Sequence, residues 1–546
     1  MNENNYPLTL PGLFNNTLAI NGQSNAYAFV GETPVSYADA SVSIESVTAF
    51  LEKNDIGPGD KVAILSTNMP NWGIAFFAIT FMGAVAVPVL PDFTAGEINN
   101  IIAHSQAKAI FVSSSLAMKL EDLSSEYIKF RVLIDDFSFI ESEGEKFKPG
   151  QKPAGGYIPG ENALASIIYT SGTTGKSKGV MLSHKNICFT ALKGRVIQPI
   201  DENDRFLSVL PLSHSYENTL GLILPMLSGA CVYYLRKLPT PSVLLPALEE
   251  VKPTVMLTVP LIIEKIYFNR ILPAFDGNAF TRLLYKIPAV RKILNKAAGR
   301  KLIKTFGGKI KFFGIGGAKL NKTVEKFLLE AGFPYAIGYG LTETSPLLAG
   351  ANPAKSVFES TGPAMEGVEL KINNPDPATG EGEIWARGPN VMLGYYNEPD
   401  LTKDVLTPDG WFRTGDLGLF DSNNNLYIKG RLKNMIVGSS GENIYPEEIE
   451  SVINSFQNVV ESLVIHQKGK LVALVHLNRD ELEKKYHTLK DEISRKFEER
   501  IEEVLLELQQ YVNSRVNKFS QINRVILQPV PFQKTATQKI KRYLYL

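Results

Sequence analysis

The chain has 546 residues, more than one hydrophobic core organises, so several packed units are expected. Hydrophobic residues make up 44% and charged residues 21%, an ordinary globular composition with little room for extended disorder. Fifty-seven Lys and Arg against 56 Asp and Glu leave a net charge of +1, which excludes a global field that would gather nucleic acid or an anionic membrane. Any anion must therefore be bound locally.

The first ten residues, MNENNYPLTL, carry neither a basic patch nor a long apolar run and do not read as a signal peptide or anchor. From Ser36 to about Ser356, helical patterns alternate with short β-rich runs at Lys61 to Leu65, Ala84 to Leu90, Ala109 to Ser113 and Thr254 to Val259. That alternation predicts an α/β fold with helix-covered parallel sheets. The apolar stretches Ile74 to Leu90 and Leu220 to Leu235 approach membrane length, yet Gly83 and Pro88 break the first, and Pro225, Ser228 and Gly229 the second. No transmembrane span is expected, since one needs about 20 predominantly apolar residues. Transient contact with a membrane surface stays open. Cys188 and Cys231 lack partners at metal spacing and read as reduced, buried thiols, which points to the cytoplasm.

Between Gly367 and Ile428, short strands separated by Gly, Pro, Asn and Asp predict a small β subdomain. After Arg431 come a strand-and-helix unit, a charged segment and a basic end. In that segment Leu482, Tyr486, Leu489, Ile493, Phe497, Ile501, Leu505, Leu508 and Val512 form one apolar stripe, expected to dock a helix on its own domain. The expected organisation is a large α/β N-terminal domain over 1–430, a hinge at 431–435 and a smaller, mobile α+β C-terminal domain over 436–546.

The most informative segment is Ser166 to Asn186, SIIYTSGTTGKSKGVMLSHKN. An apolar strand runs into glycines (Gly172, Gly175, Gly179), hydroxyls (Thr170, Ser171, Thr173, Thr174) and lysines (Lys176, Lys178), followed by a helix-like start. Glycines admit backbone N–H groups close to an anion, hydroxyls add donors and lysines neutralise charge, so the loop suits phosphate. The GxxxxGK[ST] spacing of a Walker A loop is missing.

YTSGTTGKSKGV resembles the phosphate loop of the adenylate-forming superfamily of acyl-CoA synthetases, peptide-synthetase adenylation domains and luciferases. Further motifs follow in the family's order: Gly316-Gly317-Ala318, YGLTETSP from Tyr339 to Pro346, WFRTGDLG from Trp411 to Gly418, GRLKNMIVGSSGENIYPEEIE from Gly430 to Glu450, and KTATQKIKR from Lys534 to Arg542. The resemblance implies that Tyr339, flanked by Gly338 and Gly340, stacks on adenine; that Thr342 and Glu343 serve catalysis; and that Glu343 and Thr170 hold Mg²⁺ on the ATP phosphates. Asp416 is then the acceptor for both ribose hydroxyls, Arg431 a donor to ribose or phosphate, and Lys539 the catalytic cation. Gln538 departs from the family's frequent glycine. Lys433 matches the hinge and Gly441 the loop facing the pantetheine path. VLPLSHSYENTLG, from Val209 to Gly221, and VPLIIEKIY, from Val259 to Tyr267, resemble acyl-pocket segments of long-chain synthetases; His214 is the candidate gate, and Leu261 replaces a usual arginine.

The implied reaction joins a fatty acid to ATP as acyl-AMP and transfers it to coenzyme A. Alternatives are delivery to an acyl-carrier protein, an amino-acid adenylation domain, and a non-catalytic nucleotide- or acyl-binding protein.

Overall fold

The computed structural model describes residues 7–123, 125–140, 146–171, 177–276, 279–438, 442–467, 469–478, 482 and 493–546. Among them, two eight-stranded mixed sheets dominate. In spatial order one runs Leu347–Gly350, Tyr335–Gly340, Phe312–Ile315, Val255–Thr258, Arg205–Ser208, Cys231–Tyr234, Asn25–Phe29 and Val35–Ser36. The other runs Gly394–Tyr395, Ser177–Ser183, Leu164–Ser171, Val85–Val89, Lys61–Leu65, Ala109–Val112, Phe130–Leu133 and Phe139–Ile140. Their central strands pair in parallel, as the alternation of helix and strand patterns predicts.

One core binds the two sheets. The helix Pro70–Phe81 contacts Asn25–Phe29 of one sheet and both Lys61–Leu65 and Val85–Val89 of the other, and every residue from Trp72 to Thr80 is buried. A helix apolar all round is stable only when covered on all sides, so the first membrane-length apolar stretch is an interior helix followed by a buried strand. The second divides into Asn218–Ile223, Leu224–Ser228 and the strand Cys231–Tyr234. No helix among the described residues is long and apolar enough to cross a membrane. Cys188 and Cys231 are buried and unbridged.

A polar contact crosses the sheets inside this core. Asn68, just after Lys61–Leu65, donates to Ser208 Oγ at 2.9 Å and accepts from Leu212 N at 2.9 Å. Ser208 Oγ in turn donates to Glu217 Oε1 at 2.6 Å. Glu217 is 2% exposed, and its Oε2 has no hydrogen-bond partner among the described residues.

The β subdomain is a four-stranded antiparallel sheet, Glu369–Asn373, Gly382–Arg387, Phe412–Phe420 and Leu426–Arg431. Beyond it, Val459–Gln467, Lys470–Leu477 and Arg524–Leu527 form a separate sheet with its own core. The helix Ile493–Asn513 docks there through Leu508 and Val512 of the predicted stripe and through Val504, which the stripe did not include, while Leu505 is only partly buried; 483–492 lie outside the described residues.

Burial pushes the Glu217 carboxyl up to about 8. The folded protein then keeps a proton that the unfolded chain releases, so Glu217 lowers stability as pH rises from the ordinary carboxylate range to about 8, and has no further effect above it. Glu217→Gln removes this dependence while keeping the Ser208 contact. Thermal melts across that window should show the variant gaining on the parent by up to about 1.4 kcal/mol per pH unit; parallel curves would place the carboxylate in solvent.

Candidate active site

The phosphate-loop candidate is flanked by two paired strands. Leu164–Ser171 pairs antiparallel with Ser177–Ser183, Thr170 opposite Lys178. The returning strand was not legible as such; the expected helix begins only at His184, where Ser183 and Asn186 exchange capping hydrogen bonds. Gly172, Thr173, Thr174, Gly175 and Lys176 lie outside the described residues, as do Gly441 and the Ser171 side chain.

Sequence reading did not find Tyr395. Gly394–Tyr395 pairs with Met181 and Val180 of Ser177–Ser183, bringing the Tyr395 ring 4.9 Å from the Lys178 ammonium. Its hydroxyl donates to Glu343 Oε1 at 2.9 Å. One tyrosine thus ties the phosphate loop to the acidic turn. GYYN carries no charge or spacing to mark it, and only the long-range strand pairing reveals it.

The turn itself is tightly built. A Cβ on Gly340 would lie 1.7 Å from the Pro346 carbonyl oxygen, so only glycine permits this crossing. Asn390 Nδ2 donates to the Thr344 and Leu347 carbonyls at 3.1 and 2.7 Å, pinning the backbone around Glu343. Thr342 is buried and accepts from Ser215 Oγ at 3.4 Å. Gly338 begins this segment at the edge of an apolar cavity, and Gly316, Gly317 and Ala318 follow the neighbouring strand Phe312–Ile315.

Tyr339 is buried, and its hydroxyl donates to Asp416 Oδ2 at 2.8 Å. Arg431 Nε holds the other oxygen of Asp416 at 2.8 Å, from the facing position on the next strand. Asp416 is 4% exposed, and burial outweighs the Arg431 guanidinium, leaving its carboxyl above the ordinary range. Burial, then the Asp416 charge, raises the Tyr339 phenol, so its hydroxyl stays a donor.

Lys539 comes from the far end of the chain. Thr535 N donates to Lys539 O and Gln538 N to Thr535 O, each at 2.8 Å, forming a tight turn. Gln538 adopts φ 62°, the left-handed region that favours glycine, and its side chain donates to Asp92 at 3.3 Å. Its backbone therefore has the geometry of the glycine it replaces. Crowding by protein and then the Arg431 guanidinium lower the Lys539 ammonium, against the pull of Asp416 and Glu343. Water still reaches the side chain and screens the effect.

The same ammonium acts on His214, whose imidazole burial drives down to about 4. His214 Nδ1 accepts from Tyr216 N at 3.2 Å, so the neutral ring carries its proton on Nε2. Thus Lys539 interacts electrostatically with His214, Glu343, Asp416 and Arg431, residues from four separate segments. Lys433 is exposed on the short turn Leu432–Asn434 directly after Arg431. Tyr216, whose N–H donates to His214, lines an apolar cavity together with Phe206, Leu220, Leu224, Leu257 and Gly314.

No group of three His, Cys, Asp or Glu among the described residues could hold a metal. A cation here would take the Glu343 carboxylate and the Thr170 hydroxyl, hard oxygen donors, and complete its shell from phosphate and water, as Mg²⁺ does.

A profile of the AMP-binding enzyme family matches residues 17–396. The long-chain-fatty-acid–CoA ligase heimdall of Drosophila melanogaster is 29% identical over 512 residues, 84% of this chain and 74% of that protein. The 4-coumarate–CoA ligase 2 of Nicotiana tabacum is 30% identical over 461 residues, 79% of this chain and 77% of that protein. Among solved structures, the anthranilate CoA ligase AuaEII in complex with anthranoyl-AMP matches with a TM-score of 0.78 at 19% identity, covering 99% of this chain and 96% of that one, a likeness of fold. The chain belongs to the AMP-binding enzyme family. Within it the protein falls among the adenylate-forming acid–CoA ligases, whose acids range from fatty to aromatic.

Tyr339→Phe deprives a nearly fully buried carboxylate of one donor. Urea unfolding at neutral pH should show a loss of about 1–3 kcal/mol; an unchanged midpoint would mean that Asp416 does not need the phenol.

Proposed function

We propose that the protein activates a fatty acid of medium to long chain as its acyl-adenylate and transfers the acyl group to coenzyme A. The observation that carries the reading is the convergence of Lys539 with Asp416, Arg431, Glu343 and His214 beside an apolar cavity.

ATP binds with its phosphates at the phosphate loop, through Thr170, Lys178 and the residues between them, and its adenosine between Tyr339 and the 316–318 segment. Asp416 and Arg431 hold the ribose; their present contacts with each other and with Tyr339 keep both side chains aimed before the nucleotide arrives. Glu343 and Thr170 would hold Mg²⁺, which would supply positive charge against the phosphates. The acid's carboxylate attacks the α-phosphorus, an O–P bond forms and pyrophosphate leaves. Two anions must meet for this, and the Lys539 ammonium stabilises the charge that concentrates between them. Crowding and the Arg431 guanidinium lower its pKa, while Asp416 and Glu343 favour the charged form.

In the second half-reaction the thiol of coenzyme A attacks the acyl carbonyl, a C–S bond forms and AMP leaves. Lys539 then has no task at the phosphate, and the C-terminal domain turns about Lys433 to present the Gly441 loop. The cavity that Tyr216 helps to line accepts the acyl chain, since its walls are mostly aliphatic or aromatic, and neutral His214, bonded to Tyr216, is the candidate gate.

A panel of acids in ATP–pyrophosphate exchange tests the substrate. Activity should rise from acetate through octanoate to longer chains, each buried methylene adding about 0.8 kcal/mol. Coumarate or benzoate as the best acid would replace the fatty chain by an aromatic one, and preference for a carrier-protein thiol would replace coenzyme A. Two variants separate the half-reactions. Lys539→Ala should lose exchange while retaining ATP binding, because the charge acts in the transition state. Lys433→Pro should retain exchange and lose thioester formation, because proline fixes φ at a hinge. Near-normal exchange by Lys539→Ala would remove Lys539 from its role; equal losses in both assays, or no loss in either, would remove Lys433 from the hinge.

A further inference from the structure

The near-neutral whole conceals one strongly basic tract. Between residues 277 and 324 there are twelve Lys and Arg and no Asp or Glu. Four of these cations are neutralised at home: Arg291 by Glu330, Lys311 by Asp204, Lys319 by Glu448 and Lys322 by Glu359. Lys292, Lys296, Arg300 and Lys304 have no carboxylate partner among the described residues, and they share one face of the helix Pro288–Thr305.

That face is exposed at Lys292, Lys296, Arg300 and Lys304, each four residues from the next, and Lys286 just before the helix is exposed too. Like charges at this spacing repel and work against the helix that carries them. The opposite face shows why the helix forms anyway. Arg291 makes a bidentate pair with Glu330 at 3.0 and 2.8 Å, Asn295 donates to the same carboxylate at 2.8 Å and accepts from the Tyr285 hydroxyl at 2.9 Å, and Gly299 and Leu302 are buried. A firmly docked inner face thus presents an outer ladder of cations.

Apolar side chains stand in the same place. Ile293, within the ladder, is 68% exposed; Leu283 and Ile287, at the approach to the helix, are 63% and 47% exposed. A solvated charged face has no use for them. Cations flanking exposed Leu and Ile fit a surface with anionic headgroups above hydrocarbon. Nucleic acid would engage the cations but would leave the apolar tips in water.

We propose that this face docks the protein on an anionic phospholipid surface, with Lys292, Lys296, Arg300 and Lys304 on the headgroups and Leu283, Ile287 and Ile293 at the acyl boundary. The docking does not depend on which acid the enzyme activates, and it is read without turnover, so its failure would leave the ligase reading untouched.

Vesicle flotation of the full-length protein tests it, with phosphatidylcholine alone and with added phosphatidylglycerol. The protein should float with the anionic vesicles only, and salt should release it. Changing Lys292, Lys296, Arg300 and Lys304 to Gln should weaken binding roughly fivefold per charge removed. Because like-charge repulsion is relieved, the melting temperature of that variant should not fall, which a merely structural role would not allow. Ile287→Ser with Ile293→Ser should weaken binding at constant charge, with exchange on a water-soluble acid unchanged. Failure of the parent protein to bind anionic vesicles at low salt would overturn the proposal. So would unaltered binding by the charge variant or by single Lys296→Gln and Arg300→Gln. Tighter binding of RNA than of vesicles, indifferent to the Ile changes, would assign the face to nucleic acid instead.

Discussion

A carboxylate that is 4% exposed has almost no water to solvate it, and Asp416 is held by what replaces that water. The Tyr339 hydroxyl takes one oxygen and the Arg431 guanidinium the other. Tyr339 belongs to the strand next to the edge of a large mixed sheet, whereas Asp416 and Arg431 are cross-strand neighbours in the β subdomain. The buried charge thus ties the subdomain to the sheet alongside the apolar core that they share. The chain leaves Arg431 directly for Lys433 and the C-terminal sheet.

The apolar interior supplies the frame for this contact. Helix Pro70–Phe81 lies between the two sheets and contacts both, and the Asn68–Ser208–Glu217 chain crosses the same core with polar groups. The Glu217 segment carries His214 and Tyr216 on one side and runs into Leu220 and Leu224 on the other, so the packing that joins the sheets also shapes the cavity wall. Buried polar groups of this kind cost free energy unless satisfied, and they restrict the packing to one arrangement.

Charge is organised on a smaller scale than composition reports. The cations of 277–324 vanish in a net charge of +1, yet the fold sends some of them into ion pairs and gathers others on one helix face. At the other extreme of range, Lys539, on a tight turn with Gln538 in a glycine-like backbone geometry, lies within the electrostatic reach of carboxylates from distant segments.

What the sequence determined by itself is local. The strands at Lys61–Leu65, Ala109–Val112 and Val255–Thr258 and the buried stripe of Ile493–Asn513 follow from periodicity, which depends only on residues two to four positions apart. Ordered motifs carried the family, because loop glycines, hydroxyls and charges are read along the chain. Only the tertiary structure decided that Tyr339 is buried against Asp416, that Tyr395 joins Lys178 to Glu343, and that Asn390 pins the turn between them. These contacts depend on strand register and sheet order, set by cooperative burial across hundreds of residues, and no short window of sequence encodes them. The same distinction separates twelve cations, countable in the sequence, from the exposed ladder of Lys292, Lys296, Arg300 and Lys304, which exists only because Arg291 and Asn295 turn the helix's other face inward.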